Sequence, residues 1–147
     1  MSLAMSVAER ETFLAGVHIG VLGISDGQER GPWLVPIWYG YEPGGLVRII
    51  TGRESRKMPA LRSAGRCSLC VQTEDPPYRY VTVEGPVVAI EHPVDKEERR
   101  SLAHRYLGSK LGEAYVAATA DVVEGEVVVS LRPERWLSAD FSKQWFG

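Results

Sequence analysis

Six stretches of this chain are apolar or alternate apolar with polar residues, and each stops at a turn built from Gly, Pro or Asp. They span 17–24, 33–39, 46–51, 67–73, 78–90 and 126–131. A period of two marks a strand with one buried face. Short connections bring consecutive strands together antiparallel. With Glu42-Pro-Gly-Gly45 read as a hairpin turn, the first three strands predict a meander. Gly85-Pro86 should bend or bulge the fifth. Six such strands with a few short helices predict a mainly β fold closed into a small six-stranded antiparallel barrel.

The helices are readable from their ends. Residues 6–15 read as a short N-terminal helix. Residues 94–107 combine an acidic start (Asp95, Glu97, Glu98) with apolar Leu102, Ala103, Tyr106 and Leu107, and Gly108 stops them. A further helix is expected over 113–119. A chain of 147 residues suits one domain with one core, here 1–147. Residues 1–5, before a second start-like Met5, are expected to be a disordered leader. The tail, 134–147, carries Trp136, Phe141, Trp145 and Phe146, and should pack on a partner chain, a ligand or its own core.

Charge and cysteine content exclude several functions. A net charge of −2 argues against a nucleic-acid-binding protein, which needs a basic face. No apolar run approaches the roughly 20 residues that cross a bilayer. The N-terminus lacks the basic and apolar regions of a signal peptide, so the expected location is the cytoplasm. Cys67 and Cys70 form a C-x-x-C, but on a strand positions three apart face opposite ways, roughly 10 Å apart. That is too far for a disulfide. With no second pair and no ligand-like histidine spacing, no metal site is expected.

Against this balanced background, 48–66 stands out. Its only acid is Glu54, against Arg48, Arg53, Arg56, Lys57, Arg62 and Arg66. An apolar strand (Leu46, Val47, Ile49, Ile50) runs into Thr51-Gly52, and a hydroxyl with two cations opens a short amphipathic helix whose Met58, Leu61 and Ala64 share a face. Main-chain N–H groups at a helix N-terminus, the Ser55 hydroxyl and the charges of Arg56 and Lys57 are the parts of a phosphate site.

The order of segments resembles a known family. Val35-Pro-Ile-Trp-Tyr39, then the hairpin, Arg48-Ile-Ile-Thr51, Ser55-Arg-Lys57, Leu61-Arg62 and Pro77-Tyr-Arg-Tyr-Val-Thr-Val-Glu-Gly85 are similar to the pyridoxamine 5′-phosphate oxidase-like split barrels. The similarity covers roughly 10–137. It is nearest the short members that use the deazaflavin coenzyme F420 or FMN. It implies an FMN-binding type of split barrel and a homodimer with two cofactor sites at the subunit interface. By this pattern Ser55 and Lys57 hold the cofactor phosphate, with Arg53 or Arg56 assisting. Main-chain groups of Val35, Pro36, Ile37, Trp38, Ile50 and Thr51 line the ring. Tyr78, Arg79 and Val81 border the same pocket, and Trp136 reaches across from the partner chain. Arg53, Arg62 and Arg66 would meet the acidic tail of F420. The chain lacks the C-terminal Arg and His pair of the true oxidases, which points away from vitamin B6 phosphate as substrate.

No Ser-His-Asp set or carboxylate pair stands out in the sequence, as expected where a cofactor carries the chemistry. No catalytic side chain is therefore assigned. The expected activity is hydride transfer from a deazaflavin or FMN to a conjugated small molecule such as a quinone, enone or tetrapyrrole, stacked beneath Trp38, Tyr39 or the tail aromatics. The alternative is a non-catalytic barrel that carries a flavin or a haem.

Overall fold

The computed structural model describes residues 2–145. The chain runs α1 (Val7–Ala15), β1 (Gly20–Ile24), β2 (Trp33–Ile37), β3 (Val47–Gly52), α2 (Lys57–Ala64), β4 (Arg66–Gln72) and β5 (Arg79–Glu91). Then follow α3 (Lys96–Ala118), β6 (Glu126–Leu131), β7 (Arg135–Asp140) and α4 (Ser142–Trp145). Phe146 and the side chain of Trp145, both assigned to the aromatic tail, lie outside the described residues.

The thirteen-residue strand β5 organises the sheet. Its first half pairs β4, from Tyr80 opposite Gln72 to Pro86 opposite Arg66, and also carries β7. Its second half pairs β6, with a register shift between Val87 and Ala89. Pairing passes from β4 to β6 beyond Pro86, and the irregularity lies at Val87–Ala89, just past the expected Gly85-Pro86, so one strand serves both halves of a curled sheet. Gly85 is required there, because a Cβ would collide with the Arg132 backbone. The strand order is β2-β1-β4-β5-β6-β3, every pair antiparallel, with β7 added on β5.

That order corrects two expectations. The sheet has seven strands, not six, because β7 forms beyond Arg132-Pro133. The first three strands are not a meander: β3 pairs β6, and only the bridge Gly40–Arg48 follows the 42–45 turn. β2 is left as an edge, where Pro36, lacking an N–H, is tolerated. β2 and β3 are thus the two ends of the path, and the barrel stays split between them.

Inward side chains of the strands form the core: Leu22 and Ile24, Val47 and Ile49, Leu69 and Val71, Val81 and Val83, Val127, Val129 and Leu131. Leu14, Met58 and Leu61 close it. Each such burial is worth roughly 1.5–3 kcal/mol before entropy is counted. β6 exceeds its alternating pattern, since Val128 and Ser130 are buried as well. The outer face of β3 and β6 is covered from α3, whose Glu98 holds Arg48 and whose Arg99 holds Glu126. α3 itself is two helical segments broken at Gly108 (φ 81°), the stop read from sequence.

Of the residues expected to be disordered at the N-terminus, Leu3 and Met5 are held against β7. Met5 is buried, its N–H donates to Ser138 Oγ at 3.0 Å, and the Asp140 N–H donates to the Leu3 carbonyl at 2.8 Å. Ser6 and Glu9 then cap α1 reciprocally, at 3.1 and 2.8 Å. The two cysteines lie on opposite faces of β4, opposite Gly85 and Thr82, and both are free thiols. Burial pushes the Cys67 thiol up to about 11. No helix among the described residues is long and apolar enough to cross a membrane.

Candidate functional site

A cleft of about 440 Å³ opens where the barrel is split. One wall is Val35, Pro36, Ile37 and Trp38 from the β2 edge, and the other is Ile50 and Thr51 from β3. Lys57, the first residue of α2, reaches the same space. Seven of the residues singled out from sequence therefore share one cavity, of a size that holds a small organic ligand.

The exit of β3 shapes the charged end. The Ser55 N–H donates to the Gly52 carbonyl at 3.1 Å, and the Met58 N–H to the Ser55 carbonyl at 3.1 Å. The Arg53 N–H donates to the Gly125 carbonyl at 2.7 Å, which ties the turn to the entry of β6. Pro59 falls in the first turn of α2, where its missing N–H costs little. Lys57 Nζ lies 3.3 Å from Ser55 Oγ and pairs with no carboxylate among the described residues. Loss of water around this half-buried ammonium lowers its pKa below the usual lysine value. An ammonium held in that state gains more from an anion than a solvated one would.

The remaining cations of the island divide. Arg48 is committed to Glu98 through two bonds of 2.6 and 2.8 Å, with Ser130 and Glu91 nearby. Arg66 lies 3.4 Å from Glu134, so its expected role toward an acidic tail competes with that pair. Arg53 and Arg56 are exposed on the same turn, Arg53 within 4.0 Å of Glu54.

Other expected positions fall elsewhere in this chain. Val81 is fully buried in the core and does not border the cleft. Arg79 lines a separate cavity with Phe13 and His18, its guanidinium 5.2 Å from the Phe13 ring, and Tyr78 is exposed. Trp136 lies opposite buried Val83 and packs on Tyr41, with Arg10 4.6 Å over its ring. It is therefore turned to the core side of its own chain, not outward to a partner. Tyr39 cannot cover a substrate either, being fully buried with its hydroxyl donating to the Leu14 carbonyl at 2.6 Å. Trp38 does face the cleft, but Tyr106 stacks on it at 5.0 Å and 5°, and Tyr115 lies 5.2 Å away. The Tyr106 hydroxyl accepts from the Tyr39 N–H and donates to the His18 carbonyl, so α3 clamps this corner. His18 is structural: its Nε2 lies 2.9 Å from the Phe13 carbonyl and its ring stacks on Phe13, while burial lowers its pKa.

The sequence reading missed Ile19, Arg99, Leu102, Tyr115 and Glu126, which complete the lining. One signal was available. Arg99, Leu102, Ala103 and Tyr106 follow helical spacing, which puts an arginine on the apolar face of α3.

Comparison with known proteins agrees with the architecture. Among solved structures, an F420 reductase superposes with a TM-score of 0.70 at 20% identity, over 86% of this chain and 94% of that one. A conserved hypothetical protein from Mycobacterium tuberculosis gives 0.77 at 25% identity, over 99% and 91%. A FAD-binding protein from Mesorhizobium loti gives 0.58 at 20%, over 91% and 93%. No curated protein matches the chain. The family model for pyridoxamine 5′-phosphate oxidase matches residues 7–139, nearly the whole chain and both walls of the cleft. The split antiparallel barrel and this match together place the chain in the pyridoxamine 5′-phosphate oxidase-like split-barrel family.

Proposed function

We propose that this chain is an oxidoreductase that binds F420 or FMN in the split between β2 and β3. The observation that carries the reading is Lys57: a half-buried cation beside Ser55, without an acid partner among the described residues, at one end of an apolar-walled cleft. The donor set suits a phosphate, and the walls of Val35, Pro36, Ile37, Trp38 and Ile50 suit a flat ring. The F420 reductase and the FAD-binding protein among the structural relatives support the same class of ligand. When bound, such a cofactor supplies two electrons as hydride to a conjugated acceptor, for which quinones, enones and tetrapyrroles are the expected classes. The protein's own part is to anchor the phosphate through Lys57 and Ser55, to hold the ring against β2, and to exclude water with the Trp38–Tyr106–Tyr115 cluster.

A homodimer belongs to the same proposal. Register places Leu34, Gly23, Ser68 and Glu84 in one row, and Pro36, Val21, Cys70, Thr82 and Leu137 in the next, all on the outer face of the sheet. Leu34 is 68% exposed, Leu137 61% and neighbouring Ile19 54%. The second row, apolar but for Thr82, crosses five strands beside Leu34 and offers a surface for a second copy, with the Glu84–Arg135 pair at its margin. It would bring the partner's surface beside the open edge of β2.

Binding of FMN and F420 to the purified protein, followed side by side by fluorescence, tests the cofactor. Micromolar binding of one is expected, and oxidation of the reduced cofactor by menadione or an enone is expected to be catalytic. Binding without turnover would leave a carrier; binding of neither would defeat the assignment. Leu34→Glu should shift the protein from dimer to monomer in sedimentation, and an unchanged mass would remove this face as the interface.

A further inference from the structure

Trp38 and Tyr39, expected from sequence to cover an acceptor, are otherwise engaged. Tyr39 is fully buried, and Trp38 carries Tyr106 stacked on it at 5.0 Å, with Tyr115 5.2 Å away. A second cavity of about 400 Å³ lies next to the cleft, and Ile50 and Leu102 line both. Its floor is Leu46, Arg48 and Ile50, which alternate with the buried Val47 and Ile49 and so share the face of β3 under α3. Its roof is Glu98, Ser101, Leu102 and Arg105, which recur at helical spacing along α3. Gly40, Tyr41, Glu42 and Gly45 form an end wall, and that wall is fixed. Gly40 and Arg48 exchange main-chain bonds of 2.9 Å, and the Gly45 N–H donates to the Glu42 carbonyl at 2.8 Å. The Gly44 N–H donates to the Tyr41 hydroxyl at 3.2 Å.

Position along β3 separates the two spaces. Lys57 follows the exit of the strand at Gly52, whereas the second cavity sits over its entry at Leu46 and Arg48. At about 3.3 Å per residue, Arg48 lies roughly 10 Å from Thr51. Ile50 and Leu102 are therefore a threshold, with the Lys57 end on one side and the second cavity on the other.

The two ends also differ in charge. Lys57 pairs with no carboxylate among the described residues, which suits a phosphate. The second cavity holds two cations and two acids. Arg48 and Glu98 are joined through two bonds of 2.6 and 2.8 Å. Arg105 donates to the Ala15 and Gly16 carbonyls at 3.1 and 2.7 Å, and Glu42 is exposed at the rim. These charges sum to zero, and Leu46, Ile50 and Leu102 add apolar surface, so a ligand without net charge fits best.

We propose that this second cavity is the acceptor chamber, and that it takes a small uncharged conjugated carbonyl compound, a quinone or enone of one or two rings. This deepens the oxidoreductase reading above and rests on it. A tetrapyrrole, with more rings and acidic side chains, suits neither the volume nor the charge. A quinone that takes up the hydride of the reduced cofactor and a proton from water leaves as the hydroquinone, and the cofactor is left oxidised. An enone leaves as the saturated ketone by the same balance.

Menadione, titrated by calorimetry into protein saturated with oxidised FMN or F420, reads the chamber where nothing turns over. Menadione is expected to bind, and the same ring carrying a sulfonate is expected to bind no tighter. Ser101→Trp fills the chamber from an exposed position on α3. It should weaken menadione about tenfold or more while changing FMN or F420 affinity less than about twofold. In turnover it should raise KM for menadione by a like factor. Leu46→Ala removes an apolar wall instead of adding bulk and should weaken menadione as well, with thermal unfolding as control for both variants. No binding of menadione, an unchanged affinity in either folded variant, or tighter binding of the sulfonate overturns the inference while leaving the cofactor reading intact. So does a loss of cofactor affinity in Ser101→Trp equal to the loss for menadione, because the chamber would then belong to the cofactor. Wild type that binds neither FMN nor F420 overturns both.

Discussion

Arg48 and Lys57 belong to one basic run, on β3 and the turn that leaves it, yet the fold disposes of their charges in opposite ways. Arg48 lies under α3 and is met by two oxygens of Glu98, by Glu91 and by the Ser130 hydroxyl. Lys57 faces the split of the barrel and is met by one hydroxyl. A cluster that looks uniform in sequence is therefore two populations, one spent on holding α3 to the sheet and one left for something else. The difference follows from topology: β6 and α3 cover the strand at Arg48, and the path of the sheet ends before it can cover the turn at Lys57.

Exchanging the two residues in turn should break this comparison cleanly. The largest effect is on ligand binding: Lys57→Ala should cost about 1.5–3 kcal/mol of FMN or F420 affinity, the worth of one charge-assisted bond. It should leave unfolding by urea within about 0.5 kcal/mol of wild type, because the side chain takes part in no ion pair among the described residues. Equal loss of stability and affinity would show that Lys57 is structural after all.

Arg48→Ala should do the reverse. Its pair with Glu98 is bidentate, but the side chains are 35% and 30% exposed, so solvent screening discounts the bond. A loss of about 1–2 kcal/mol in urea unfolding is expected, mostly from stranding Glu98 and Ser130. Cofactor affinity should change less than twofold. An affinity loss as large as that of Lys57→Ala would mean the basic run acts as one field rather than two populations.

What the sequence disclosed and what it hid divide along the same line. Local signals were sound: the short helix over 6–15, the Gly108 stop, an irregularity of β5 close to Gly85-Pro86, and the strand from 46 that runs into a turn and a short helix all appear in the structure. Long-range pairing was not legible. The turn at 42–45 suggested that β3 would join β2, but its partner, β6, lies more than seventy residues later, and no local pattern encodes that choice. β7 was hidden because Arg132-Pro133 reads as an end and the following residues look like a loose aromatic tail. Its alternating burial, with Leu137 out and Trp136 in, is visible only once β5 is beside it. Arg99 was passed over for a different reason. A lone arginine on an apolar helix face reads as a solvated exception until the cavity beneath it is seen.

The smallest effect concerns pH and tests the unpaired half of the comparison directly. Desolvation holds the folded-state pKa of Lys57 below its value in the unfolded chain, about 10.4. Between those two values the unfolded state binds the proton and the folded state has released it, so stability rises with pH. Below the folded value both states are charged, and the burial penalty is felt in full. Wild type without ligand should therefore gain stability relative to Lys57→Met as pH climbs through the alkaline window toward the unfolded value. A bound phosphate ester should cancel the trend, because it stabilises the charged ammonium and raises the folded-state pKa. Urea unfolding across that window, with and without FMN, reads both arms. A wild-type curve parallel to that of Lys57→Met in the free protein would mean that the ammonium is already compensated, and the contrast with Arg48 would disappear.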